Sequence, residues 1–292
     1  MKMRKILATV LAAALIVTAL AGCQASNPAG FNADSAISVV TREDGSGTRS
    51  AFIELAGILN KNEAGETVDM TTEEAITADA TDIMMTNIAN DPYAIGYISL
   101  GSLNETVKAL DIDGVAASAD NVKDGSYVIQ RPFNIAYKEG VSAVARDFVA
   151  FIMSAEGQAI AAANGYIAID EEAAAFNGGN EAGTVVIAGS SSVTPLMEKL
   201  QEAYLEINAD AAIELNMSDS SAGMNSAIEG TCDIGMASRA LKETETAELT
   251  GVTIAMDGIA VIVNNSNTTD GLSLEDVKNV FTGAVDVWSA VQ

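Results

Sequence analysis

The chain of 292 residues contains no histidine. That absence excludes Ser–His and Cys–His nucleophile pairs and the imidazole metal sites. Cysteine is nearly absent too, with Cys23 and Cys232 alone, so no disulfide framework is expected. Basic residues are scarce: 15 Lys and Arg stand against 40 Asp and Glu, a formal charge of −25. Such a chain repels polyphosphate backbones, which excludes nucleic acid as a partner. Any small anion must then be held at short range, by N–H, O–H and guanidinium groups. Aromatic residues make up 5% of the chain, with one Trp, and offer no stacking platform. No paired-carboxylate signature stands out. No catalytic residue, metal or cofactor is expected.

Long apolar runs are also missing, except at the start. Lys2, Arg4 and Lys5 precede the apolar stretch Ile6 to Leu20, which is too short and badly flanked for an ordinary membrane span. It ends in Leu20-Ala21-Gly22-Cys23, which resembles a bacterial lipoprotein signal. Residues 1–23 are therefore read as a signal, with Cys23 lipidated, and residues 24–30 as a polar tether. The mature protein would sit at the cell surface, anchored to the outer face of the cytoplasmic membrane. Cys232 reads as a small core residue at a strand edge.

What the chain does have is three hydroxyl-rich loops, each placed between a strand-like run and a helical pattern. The first, Arg42-Glu43-Asp44-Gly45-Ser46-Gly47-Thr48, follows Ile37 to Val40 and precedes Phe52, Leu55, Ala56 and Leu59 at helical spacing. The second, Gly189-Ser190-Ser191-Ser192-Val193-Thr194-Pro195, follows Thr184 to Ala188 and places Pro195 where a helix begins. The third, Ser218-Asp219-Ser220-Ser221-Ala222-Gly223, follows Ala212 to Leu215. Loops of this kind aim backbone N–H groups at an anion, and one of them alone could equally be a plain helix cap. Three together favour a tetrahedral oxyanion held between helix N-termini, with the planar fork of Arg42 as its cation.

Strand-like runs at Ser38–Val40, Val185–Ala188, Ile213–Leu215, Asp233–Met236, Val252–Met256 and Ile259–Val263 alternate with helical patterns. Ser142 to Ala163 and Ser273 to Phe281 are the clearest helices. Alternation of this kind predicts an α/β architecture with largely parallel sheets, long enough for two domains. Residues 176–183 form the one convincing linker after the tether.

The three loops, with Asp233–Leu241 (DIGMASRAL), Asp257–Val263 (DGIAVIV) and Phe281-Thr282-Gly283, resemble the phosphate-binding lipoproteins of bacterial ABC-type phosphate importers. The resemblance covers nearly the whole mature part, but in a different order. Such proteins begin with the Gly-Ser loop and reach the REDGSGT strand later, whereas here REDGSGT opens the mature chain. The order is read as a circular permutation; two truncated neighbouring genes, or a fragment of a tandem array, are the alternatives.

The resemblance implies a two-domain clamshell of the type II periplasmic-binding class. One α/β domain would comprise residues 31–105 plus 256–292, the other residues 106–255. Hinges would lie near Ile254–Ile259 and Leu103–Val107. It also implies the ligand set: Arg42 braced by Asp44, with Ser46, Gly47 and Thr48 from the first loop and Ser191, Ser192, Val193 and Thr194 from the second. Asp219, Ser220, Ser238 and Asp257 complete it. Some members carry Asp where Ser238 stands, which leaves Asp219 or Asp257 to accept a phosphate proton; Asp219 could equally be a turn or cap residue, and Asp257 a hinge hydrogen-bonder. The implied function is capture of inorganic phosphate by a monomer and delivery to an ABC-type permease. Rival readings are another oxyanion such as sulfate or molybdate, or a sensor that does not transport. A phosphotransferase is disfavoured, because Arg49 stands where a Walker Lys would follow GSGT.

Overall fold

Apolar β-branched runs build the centre of the molecule, and three short hydroxyl loops each turn a strand into a helix. The computed structural model describes residues 31–62 and 64–291. Residues 1–30, with Cys23 and the tether, lie outside the described residues. In chain order the main elements are β1 (Ser38–Arg42), α1 (Gly47–Leu55), β2 (Ile76–Ala78), α2 (Thr81–Asn90), β3 (Ala94–Ser99) and β4 (Lys108–Ala109). They continue with β5 (Gln130–Tyr137), α3 (Ala143–Ile152), α4 (Ala155–Ala163), β6 (Gly183–Ser190) and α5 (Thr194–Ile207). Then come β7 (Ala211–Ser218), α6 (Ser220–Glu229), β8 (Ile234–Ala237), β9 (Thr250–Val263) and α7 (Leu274–Phe281).

The strands form one sheet in the order β7-β6-β8-β5-β9-β3-β1-β2, with β4 also paired to β9. Parallel pairing holds at each end, β6 with β7 and β8, and β1 with β2 and β3. In the middle β9 runs antiparallel to β5, β3 and β4. This strand divides the sheet into two lobes. Its first part, Thr250 to Gly258, pairs with β5, and its second, Ile259 to Val263, pairs with β3. Each lobe has its own apolar core. The first packs Val40, Met84, Ile88, Ile98 and Ile262 together. The second packs Phe133, Phe148, Phe151, Ile187, Leu196 and Tyr204. Fully burying side chains of this size stabilises by about 1.5–3 kcal/mol each. Residues 33–292 form a single compact unit.

Three expectations change. Ser142 to Ala163 is two helices, because Ser154 donates to the Phe151 carbonyl (2.7 Å) and caps Gly157 N–H, starting α4 afresh. The two runs at 252–256 and 259–263 are one continuous strand. The lobe boundary expected at 105/106 and the hinge at Leu103–Val107 do not coincide with the change in pairing. Lys108–Ala109 pairs with Ile262–Val263 in the first lobe. The chain crosses instead near Ile129, whose carbonyl accepts from Ile259 N–H, followed by Gln130 opposite Gly258.

The ends of the described unit lie side by side. Ile37 N–H donates to Asp286 O, and Trp288 Nε1 and Ser38 N–H share the Tyr93 carbonyl at 3.0 and 3.1 Å. Cys232 is a buried free thiol whose pKa burial pushes up to about 11, a core residue with no thiolate character.

Candidate functional site

β1 delivers Arg42 into the interior, where the residue is 2% exposed. Its backbone N–H donates to the Tyr97 hydroxyl, and Tyr97 stacks on Phe52 at 4.0 Å between ring centroids. Desolvation pushes the Tyr97 phenol up to about 12, so it stays neutral as a fixed hydrogen-bonding post. The guanidinium is used on two edges. Nε and Nη2 donate to the two carboxylate oxygens of Glu43 at 2.8 and 2.7 Å. Nη1 and Nη2 reach the hydroxyls of Thr81 (3.4 Å) and Ser191 (3.0 Å).

The brace on Arg42 is therefore Glu43, not the expected Asp44. Asp44 is exposed and pairs with Arg49, which Asp69 also holds. The two acids are neighbours: Glu43 folds back onto Arg42, and Asp44 lies out against Arg49.

The first loop ends with Ser46 capping α1 through Arg49 N–H. Thr48 then crosses to the other lobe, its hydroxyl 2.8 Å from that of Ser192. In the second loop Ser190 donates to Ser238 at 2.9 Å, and Thr194 returns its hydroxyl proton to the Ser190 carbonyl. Val193 is fully buried with its N–H on the Ser190 carbonyl, so it shapes the turn. Gly189, at φ +134°, is where a Cβ would lie 2.4 Å from Met236 O, so only glycine lets β8 approach this closely. In the third loop Ser220 accepts from Ser238 N–H at 3.1 Å. The lobes meet closely here. Ser221 N–H donates to the Gly45 carbonyl, and a Cβ on Gly47 would lie 2.3 Å from Ser220 Oγ and 2.7 Å from Ser238 Oγ.

The structure thus brings Arg42, Thr48, Ser191, Ser192, Ser220 and Ser238 together as a buried ring of hydroxyls around one cation. The two acids expected to accept a proton have other work. Asp219 is the N-cap of α6, its Oδ1 2.8 Å from Ala222 N. Asp257 is fully buried, with Oδ1 accepting from Ser99 (2.9 Å) and Oδ2 from Arg131 (3.2 and 3.1 Å). That ion pair lies directly across the strands at the lobe crossing, since Asp257 and Arg131 are cross-strand partners. Arg131 Nη1 also donates to the Ser238 carbonyl at 3.0 Å, so the pair supports the ring from below. Burial pushes the Asp257 carboxyl up, against the opposing pull of Arg131.

Thr81, Ser190, Glu43 and Arg131 were not among the expected site residues. For Thr81 a signal existed: it follows the strand-like Ile76-Thr77-Ala78 and opens a helix, as the three recognised loops do. A cavity of about 380 Å³ adjoins the ring, its lining including Thr81, Ser191 and Thr194, the acids Asp82 and Glu198, and Met85. A larger one of about 580 Å³ lies beside Ile37, Thr72 and Asp286, away from every hydroxyl of the ring. Chemically, the ring offers donors and a guanidinium edge. Among the described residues no group of His, Cys, Asp and Glu could hold a metal ion.

The sequence matches the PBP superfamily domain over residues 11–156 and 174–292. It is 49% identical over 292 residues to phosphate-binding protein PstS 2 of Streptococcus agalactiae serotype V, covering 99% of both chains. It is 42% identical to phosphate-binding protein PstS 2 of Streptococcus pneumoniae serotype 4, over 89% of each. The crystal structure of a phosphate-binding protein of a phosphate ABC transporter from Streptococcus pneumoniae TIGR4 superposes with a TM-score of 0.70. That match is 42% identical and covers 88% of this chain and all of that one.

Proposed function

The chain belongs to the PBP superfamily, in the family of PstS phosphate-binding proteins; from that premise we propose that it captures inorganic phosphate between its lobes and hands it to an ABC-type permease. The observation that carries this reading is the closure of hydroxyls from both lobes around the Nη1–Nη2 edge of Arg42. A tetrahedral anion presents four oxygens in different directions, and donors converging from two lobes match that shape. The negative net charge makes long-range attraction unfavourable, so affinity rests on these short contacts.

The protein binds and does not catalyse. Ring hydroxyls are bonded to one another and to Arg42, and the chain has no histidine to activate one. Phosphate is favoured over sulfate through Asp219: its Oδ1 caps α6, and its other carboxylate oxygen, beside Gly45 across the cleft, is the acceptor for a phosphate proton. Isothermal titration of the mature chain tests both statements: phosphate and arsenate should bind, and sulfate more weakly. Absence of heat with millimolar phosphate, after removal of endogenous ligand, would overturn the reading.

The segments form two domains of one clamshell in a permuted order, a reading supported by the adjacent ends at Ile37 and Asp286. The protein works outside the cytoplasmic membrane, held there through a lipid on Cys23. No helix among the described residues is long and apolar enough to cross a membrane. Cys23→Ala should release the protein or leave its precursor uncut; normal membrane retention of that variant would contradict the anchor.

A further inference from the structure

Four helices begin at the hydroxyl ring, and they do not begin alike. Ser46 caps α1 and Asp219 caps α6, each through its own side chain. The other two, α2 and α5, start at Ala80 and Val193, with no side-chain cap. A helix leaves its first N–H groups without intrahelical partners, and an apolar residue at the cap leaves them so. The N-terminal ends of these two helices line one cavity, Thr81 and Asp82 from α2 and Thr194 and Glu198 from α5. Thr81, the first residue of α2, lies with its hydroxyl 3.4 Å from Ser191 Oγ and 3.3 Å from Ser192 Oγ, at the turn that opens α5.

Thr81 is 7% exposed and is touched by the ring's cation. A threonine hydroxyl has one proton and two lone pairs. Arg42 Nη1 donates to it, so one lone pair is taken and the proton is turned away from the guanidinium, toward the second lobe. Its contacts there are long beside the 2.8 Å bond between Thr48 and Ser192. The hydroxyl is therefore held in place and oriented without being tightly bonded. Ser191 has the same arrangement from the opposite lobe, accepting from Arg42 Nη2. The arginine thus aims one proton from each lobe at the same region.

We propose that Thr81 binds the phosphate directly from the first lobe, and that the ligand serves as the cap that Ala80 cannot provide for α2. This rests on the phosphate reading above. Closure would then be favoured by the anion, because a shared acceptor satisfies the uncapped ends of α2 and α5 at once.

The experiment compares phosphate titrations and ligand-free melting of the mature wild-type chain with Thr81→Val, Thr81→Ser and Ala80→Ser. Thr81→Val keeps the branched shape and removes the proton; phosphate affinity should fall roughly tenfold with little change in melting. Thr81→Ser should restore most of it. Ala80→Ser gives α2 an internal cap, so melting should rise while affinity falls. A residue of merely structural importance would instead leave affinity untouched when the cap is added. Thr81→Val binding within twofold of wild type would overturn the proposal, as would Ala80→Ser melting higher at unchanged affinity. Wild-type protein that binds no phosphate would overturn both this proposal and the function it rests on.

Discussion

Arg42→Lys is expected to weaken phosphate binding roughly ten- to a hundredfold, the equivalent of about 1.5–3 kcal/mol for a lost charge-assisted hydrogen bond. The geometry explains why retaining the charge does not rescue the site. Arg42 uses one edge for Glu43 and the adjoining Nη1–Nη2 edge for Thr81 and Ser191. A lysine ammonium is a single point with three donors and cannot serve two planar edges at once. Arg42→Ala should cost more than Lys. It would leave Glu43 beside the ring with no cation between its carboxylate and the anion, in a protein already strongly negative. Titration calorimetry on both variants checks this, and affinity within twofold of the parent for either would place the anion elsewhere.

The parts of this site that were legible in the sequence are those governed by local chemistry. Gly45, Gly47 and Gly189 with their neighbouring hydroxyls mark turns whose function depends on a few consecutive residues, and all three recognised loops open helices. The two-lobed α/β layout followed from alternating apolar runs and from the resemblance. What was not legible depends on distant pairing or on small choices between neighbours. Arg131 and Asp257 are 126 positions apart, and nothing local to either names the other. Glu43 and Asp44 are adjacent acids, and which one turns toward Arg42 depends on Arg49 and Asp69 holding the other side of the turn. Thr81 was hard to see because no glycine or run of hydroxyls precedes it, as they do in the three recognised loops, and because β2 is only three residues long. The lobe crossing at Ile129 was hidden by β4, whose two residues have no periodicity to read.

Asp257→Ala should destabilise the protein by about 3–5 kcal/mol, the cost of leaving one charge of a buried pair uncompensated. Both side chains are almost fully shielded from solvent, and Arg131 would keep its guanidinium in the interior with the Ser238 carbonyl and the Phe133 ring face but no counter-charge. The intact pair is not itself a source of large stability. Burial pushes the Asp257 carboxyl up and the Arg131 guanidinium down. A carboxyl raised in the folded state binds its proton more tightly there than in the unfolded chain. The cost it imposes is therefore absent in acid and grows as pH rises from the ordinary carboxylate value through the raised one. What the pair supplies is position: it sits where β9 passes between lobes, and through Arg131 it holds Ser238 under the ring. The combined change Arg131→Met with Asp257→Leu separates the two roles. Replacing both charges by apolar groups of similar size should recover most of the stability lost in Asp257→Ala, while phosphate affinity stays depressed because Ser238 is no longer held. Denaturant unfolding and phosphate titration of the three proteins decide it. Single and double variants equally unstable would contradict the buried-charge cost, and a double variant with wild-type affinity would show that the ion pair does not position the ring.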